Sequence, residues 1–146
     1  MNSRSGSSRG FSLLELLIIV AVILILATIA IPSLLKSRQV ANENSAVANL
    51  RTISNAEAAY LSVSGGYYGG ISELVDSELL DDRFTGGMIG GYIYSISSSR
   101  FHYTASATPA ASNAGRYGYY IVPDGVIRYS TLLTLAPAGS AGLAVR

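Results

Sequence analysis

Residues 16 to 35 run without one charged side chain, and Glu15 stands at their threshold. That length matches the roughly 20 residues an α-helix needs to cross a bilayer. An ionisable group inside such a segment costs roughly 2.5–3.5 kcal/mol on insertion scales, so Glu15 requires a compensating partner. Fourteen of the twenty residues are Val, Ile or Leu, each contributing roughly 1.5–3 kcal/mol when fully buried, so the segment tolerates the glutamate many times over. Ahead of it, residues 1–10 are polar and rich in glycine and serine, with Arg4 and Arg9, as expected for a leader outside the membrane. A secretory signal places small-residue cleavage chemistry after its apolar core. Here that region reads Ile31-Pro32-Ser33-Leu34-Leu35-Lys36 and offers no such site. The scissile bond is instead expected between Gly10 and Phe11, which leaves the apolar segment as the new N-terminus.

At 146 residues the chain has room for one modest domain and a long anchor. Its formal charge is +1, and loss of Arg4 and Arg9 with the leader leaves eight basic against nine acidic residues. This balance gives no extended surface for nucleic acid. The chain has no cysteine, which excludes thiol catalysis, cysteine-ligated zinc and disulfides. Arg4 and Arg9 on one side of the apolar run balance Lys36 and Arg38 on the other, so charge alone sets no membrane orientation.

From Phe11 to about Ser64 there is no glycine and one proline. Ala46, Val47, Leu50, Ile53, Tyr60 and Leu61 share a face at 100° per residue, while Ser45, Arg51, Thr52 and Asn55 point away. The pattern predicts a single long helix, apolar all round over 11–35 and one-sided over 36–64. Pro32 deletes one intrahelical hydrogen bond, so a kink or a locally unwound segment is expected there. Gly65-Gly66-Tyr67-Tyr68-Gly69-Gly70 stops the helix. Residues 65–91 read as a connector containing a short helix over 72–82 with Ser72 as its N-cap.

Over 92–131 the period changes to two. Tyr92 and Tyr94 alternate with Ile93 and Ser95, and Phe101, Tyr103 and Ala105 with Arg100, His102 and Thr104. Two further strands over 117–122 and 126–131 are joined by Pro123-Asp124-Gly125. The fold class is therefore α+β, a long N-terminal helix packed on an antiparallel sheet of about four strands. The tail, 132–146, has weak periodicity and receives no element.

Gly10, Phe11, Ser12, Leu13, Leu14 and Glu15, followed by about twenty apolar residues that include Pro32, resemble the class III leader of type IV pilins and type II secretion pseudopilins. The closest resemblance is to short, cysteine-free type IV pilins whose last hairpin carries a motif like Asp124-Gly125-Val126-Ile127-Arg128-Tyr129. The strong match covers about the first 65 residues, and the sheet matches in pattern. Many pilins close a C-terminal loop with a disulfide and carry a second helix proline, and this chain departs from both. The resemblance implies the pilin fold, cleavage after Gly10 by a prepilin peptidase/N-methyltransferase, and N-methylation of Phe11. It also implies that Glu15 pairs with the freed amine of Phe11 on a neighbouring subunit, that Pro32 kinks the helix, and that the product is a homopolymer. Before assembly the subunit would be a single-pass inner-membrane protein with a cytoplasmic leader, and afterwards part of a cell-surface fibre built by pilus assembly machinery. The leading reading is the major pilin of a type IV pilus. The alternatives are a pseudopilin or minor pilin, and a membrane-anchored binding module that never polymerises.

Other constellations carry less. Ten tyrosines invite an electron-conducting stack, yet Tyr92, Tyr94, Phe101, Tyr103, Tyr117, Tyr119 and Tyr129 fall in predicted strands, where such rings are common. Asp76, Glu78, Asp81 and Asp82 are residue types that bind calcium, and on a short exposed helix they read as a solvated face. His102 is the sole histidine. No catalytic residues, metal site or cofactor site are expected, and the chain is not read as an enzyme.

Overall fold

The computed structural model describes residues 11–130 and 142–145. Two compact units divide the chain, Met1–Lys36 and Ser37–Arg146.

Helix α1, Leu13–Val63, belongs to both units and has no break at Pro32. Its backbone ladder opens with Leu16 N donating to Ser12 O at 3.1 Å. It ends where the sequence places a stop. Gly65 and Gly66 have φ of 75° and 93°, and Gly66 N donates back to Leu61 O at 3.2 Å, the six-to-one bond of a Schellman-type terminus.

In the second unit the inward face of α1 carries Ala46, Leu50, Ile53 and Ala56, all buried. Three polar residues are buried on the same stripe: Glu43, Asn49 and Glu57. Val47, Tyr60 and Leu61, expected on that face, are only half-buried.

The connector departs from expectation. Helix α2 spans Ile71–Asp76, and the residue before it, Gly70, serves as the cap; Gly70 N donates to Glu73 Oε2 at 2.9 Å. Ser72 is therefore inside the helix, which does not reach Asp82. In a continuous helix Leu74 and Leu80 would point about 120° apart. The chain instead turns at Ser77 and Glu78, the latter with φ 59°, and the amides of Leu79 and Leu80 both return to Leu74 O. Leu80 is thereby buried beside Leu74. A 3₁₀ turn, Asp82–Phe84, follows, capped by the Asp81 carboxylate on Arg83 N at 2.8 Å, and it buries Phe84.

The sheet has six strands where about four were expected: β1 Met88–Ile89, β2 Tyr92–Ser98, β3 Tyr103–Pro109, β4 Gly118–Ile121, β5 Ile127–Ser130 and β6 Leu143–Ala144. They lie in sequence order and every adjacent pair is antiparallel. The added strands are the two-residue edges, one of them in the tail left without an element. Along β3, Tyr103, Ala105 and Ala107 are buried while the residues between them are half-exposed. Phe101 does not join this alternation. It sits 80% exposed in the turn that Ser99 N closes on His102 O at 2.8 Å, and the strand begins at Tyr103.

Helix and sheet share one apolar core, with Ala46, Leu50 and Ile53 clustered among Tyr92, Tyr94, Tyr103, Ala105 and Ala107. Polar contacts fix the register between the layers. Asn49 Nδ2 donates to Tyr94 Oη at 2.9 Å, and its Oδ1 accepts from Arg83 Nη2 at 3.2 Å. Tyr103 Oη donates to Ser54 Oγ at 2.9 Å.

Candidate assembly segment

Phe11 precedes α1 and is 70% exposed, while Glu15 lies in the first helical turn and is also exposed. A carboxylate there meets the positive end of the helix dipole. Among the described residues no cation pairs with it. Gly10, the expected cleavage residue, lies outside the described residues, so the structure places only one side of the Gly10–Phe11 bond.

Between Leu13 and Leu35 every large apolar side chain is exposed, from 42% at Ile19 to 82% at Leu13. Among the described helices α1 alone is long and apolar enough to cross a membrane. Ala27, Thr28 and Ala30 give this surface a small-residue patch that permits close helix approach. The Thr28 hydroxyl is satisfied internally, donating to Ile25 O at 2.7 Å. Pro32 has no amide hydrogen, so Thr28 O loses its helical donor, one turn from that side-chain bond. Both features fall at the end of the apolar stretch, and helical assignment continues through them.

The second unit carries the strongest electrostatic features. Glu43 accepts three bonds from Arg116: from Nε at 3.0 Å, Nη2 at 2.8 Å and the backbone N at 2.8 Å. Burial acts to raise the Glu43 pKa, but the bonds and charge of Arg116 outweigh it and hold the carboxyl below its ordinary value. Glu57 is fully buried; Oε2 accepts from Gly69 N at 3.0 Å and Oε1 has no partner. Burial, reinforced by the nearby Glu73 charge, pushes this carboxyl up to about 6. Burial likewise raises Tyr92, Tyr94 and Tyr103, and pushes Tyr119 up to about 12. Sequence reasoning missed Glu43 and Glu57. Their only signal was their place on the apolar stripe of α1, seven residues from Leu50 on either side.

A cleft of about 580 Å³ opens beside the ion pair, lined by Glu43, Arg116, Tyr117, Tyr119, Tyr129 and Leu143 among others. Both Glu43 oxygens are occupied by Arg116, so the cleft presents no unpaired carboxylate. Ring contacts fall into separate groups among the described residues. Tyr92, Tyr117, Tyr119 and Tyr129 form one, with centroids 5.0–6.5 Å apart, while Phe84–Tyr94 and Tyr68–Tyr103 stand as pairs. Asp76, Glu78, Asp81 and Asp82 are exposed, and no group of three or more metal-ligating side chains converges among the described residues.

A family model described as the prokaryotic N-terminal methylation motif matches residues 6–31. The type IV major pilin protein PilA of Myxococcus xanthus is 40% identical over 60 residues, a match covering 41% of this chain and 27% of that protein. The aligned part thus amounts to about a quarter of that relative's length. No solved structure gives a significant match.

Proposed function

From the premise that this chain is of the type IV pilin family, as its methylation motif and its pilin relative support, we propose that it is the major structural subunit of a type IV pilus. A membrane peptidase cuts between Gly10 and Phe11, Phe11 is N-methylated, and the subunit waits in the inner membrane until it joins a surface filament of identical copies. The supporting observation is the apolar half of α1, whose large apolar side chains are all exposed among the described residues, with Glu15 in its first turn.

Cleavage creates the cation that Glu15 requires. Methylation leaves the Phe11 amine charged, and that amine on a neighbouring copy forms the counter-ion. At an effective dielectric of about 20 and a separation of about 4 Å, such a pair approaches roughly 4 kcal/mol. The pair fixes register, and apolar burial supplies the bulk of the attraction. Lipid tails and a bundle of Leu- and Ile-rich helices are similarly apolar, so moving α1 from bilayer to filament core costs little. Assembly on this basis is reversible.

Mass spectrometry of the N-terminal peptide from sheared surface filaments tests the reading. An abundant peptide beginning at N-methylated Phe11 is expected. Leader retained on the mature protein overturns it in favour of a membrane-anchored module. A processed subunit present only in trace amounts overturns the major-subunit assignment in favour of a minor pilin or pseudopilin.

A further inference from the structure

Among the described residues, one cation of the second unit pairs with no acid. Arg100, in the turn between β2 and β3, lies with its guanidinium carbon 4.8 Å from the Tyr67 ring centroid and 5.3 Å from that of Phe101. Both rings are solvent-facing, Tyr67 at 44% and Phe101 at 80% exposure. Stacking on them narrows the positions open to the guanidinium and leaves its N–H edge available to a carboxylate. Arg116 and Arg128 each pair with an acid, whereas among the described residues Arg100 pairs with none.

The complementary charge lies elsewhere on the same unit. The connector holds Glu73, Asp76, Glu78, Asp81 and Asp82, all exposed, against Arg83. Arg83 is only 4.0 Å from Asp81 and is drawn inward to Asn49. Asp76 and Glu78 make no side-chain hydrogen bond or ion pair among the described residues. Arg83 ties the far end of this stretch to Asn49, while its near end, at Gly70 and Glu73, follows Gly69, whose amide bonds Glu57. Among the described residues no ion pair joins Arg100 to any of these acids, so the two patches do not satisfy each other within a single copy.

We propose that, in the filament, the tip formed by Arg100, Tyr67 and Phe101 docks on the acidic connector around Asp76 and Glu78 of a second copy. This inference rests on the pilin reading. Two different patches meeting make a heterologous contact, which repeats from copy to copy without closing on itself, as a fibre requires. A polyanion such as nucleic acid would be attracted by Arg100 and repelled by the acidic connector; a second copy satisfies both.

Charge reversal and cross-linking test the contact on the full chain in assembled filaments. Arg100→Glu, or Asp76→Lys with Glu78→Lys, is expected to reduce the yield of sheared filaments several-fold at an ionic strength of about 0.15 M. The triple variant is expected to recover to within about twofold of wild type, as the swapped charges again complement each other. The chain has no cysteine, so Phe101→Cys with Asp76→Cys gives an independent readout: oxidised filaments should run as a ladder of cross-linked multimers. Wild-type yields from Arg100→Glu, or intact double-cysteine filaments without a ladder, overturn the contact while leaving the pilin reading in place. Absence of filaments from the unmodified chain overturns both.

Discussion

Arg116 closes a two-pronged ion pair on Glu43, a residue 73 positions earlier, and its own backbone amide supplies a third bond to the same carboxylate. The Glu43 side chain is almost wholly buried and that of Arg116 is about half exposed. Removing the cation leaves a buried carboxylate with one backbone donor. Arg116→Ala should lower the melting temperature of the detergent-solubilised chain at pH 7 by about 5 °C or more. Arg116→Lys should recover only part, because lysine cannot make the paired bonds. A depressed carboxyl pKa stabilises above the unfolded value of 4.5, and that contribution is lost as pH falls through the folded value. The gap between variant and wild type should therefore shrink on acidification below pH 4.5.

Glu57 works in the opposite direction. Its folded pKa of about 6 lies above the ordinary 4.5, so its stabilising effect is complete below 4.5 and is lost as pH rises through 6. Glu57→Gln removes the titration. Denaturation measured from pH 4 to 8 should show wild type losing stability relative to the variant across this window, by about 1 kcal/mol. The full linkage value for a carboxyl moved from 4.5 to about 6 is about 2 kcal/mol, and relaxation of the site around the ionised carboxylate lowers the observed figure. Parallel curves over the whole range would sink the assignment.

Gly115 lies against the Tyr92 ring, and a β-carbon built there overlaps the Tyr92 hydroxyl. That hydroxyl donates to Tyr117 O at 2.9 Å and cannot withdraw without losing the bond. Gly115→Ala should destabilise by about 1–3 kcal/mol through overpacking. Adding Tyr92→Phe removes the overlapping oxygen, so the double variant should fall short of the sum of the two single losses in urea titrations.

Glu15→Ala should leave membrane insertion intact, because it deletes an ionisable group from an apolar segment. Filament yield should fall at least tenfold. Comparing subunit in membrane and sheared fractions measures both, and normal filaments from this variant would rule out the pairing role of Glu15.

The features legible in the sequence are those whose causes are local. Gly65-Gly66 ends a glycine-free helix, and Tyr103, Ala105 and Ala107 alternate with polar neighbours, so each could be read within a few residues. The N-terminal methylation motif was legible for the same reason, since Gly10, Phe11 and Glu15 fall within six consecutive positions inside the matched residues 6–31. The edges β1 and β6 are two residues long, too short for any period to register, and exist only because a neighbouring strand offers a ladder. Leu80 returns to the core through a reversal at Glu78, a left-handed conformation unusual for that residue type. Glu43 and Glu57 sit on the apolar stripe of α1, but a helical wheel cannot reveal that Arg116 or the Gly69 amide will meet them. Phe101 belongs by pattern with Tyr103, yet the Ser99–His102 turn places it outside the ladder.

The six-stranded meander has a kinetic corollary. Each strand pairs only with its immediate predecessor and successor along the chain, so most loops that must close are short and incur little entropy. Hairpins can zip one after another from β1 onward, and a cysteine-free chain has no oxidation step to await. The sheet can thus mature at a pace set by its own nearest-neighbour pairings.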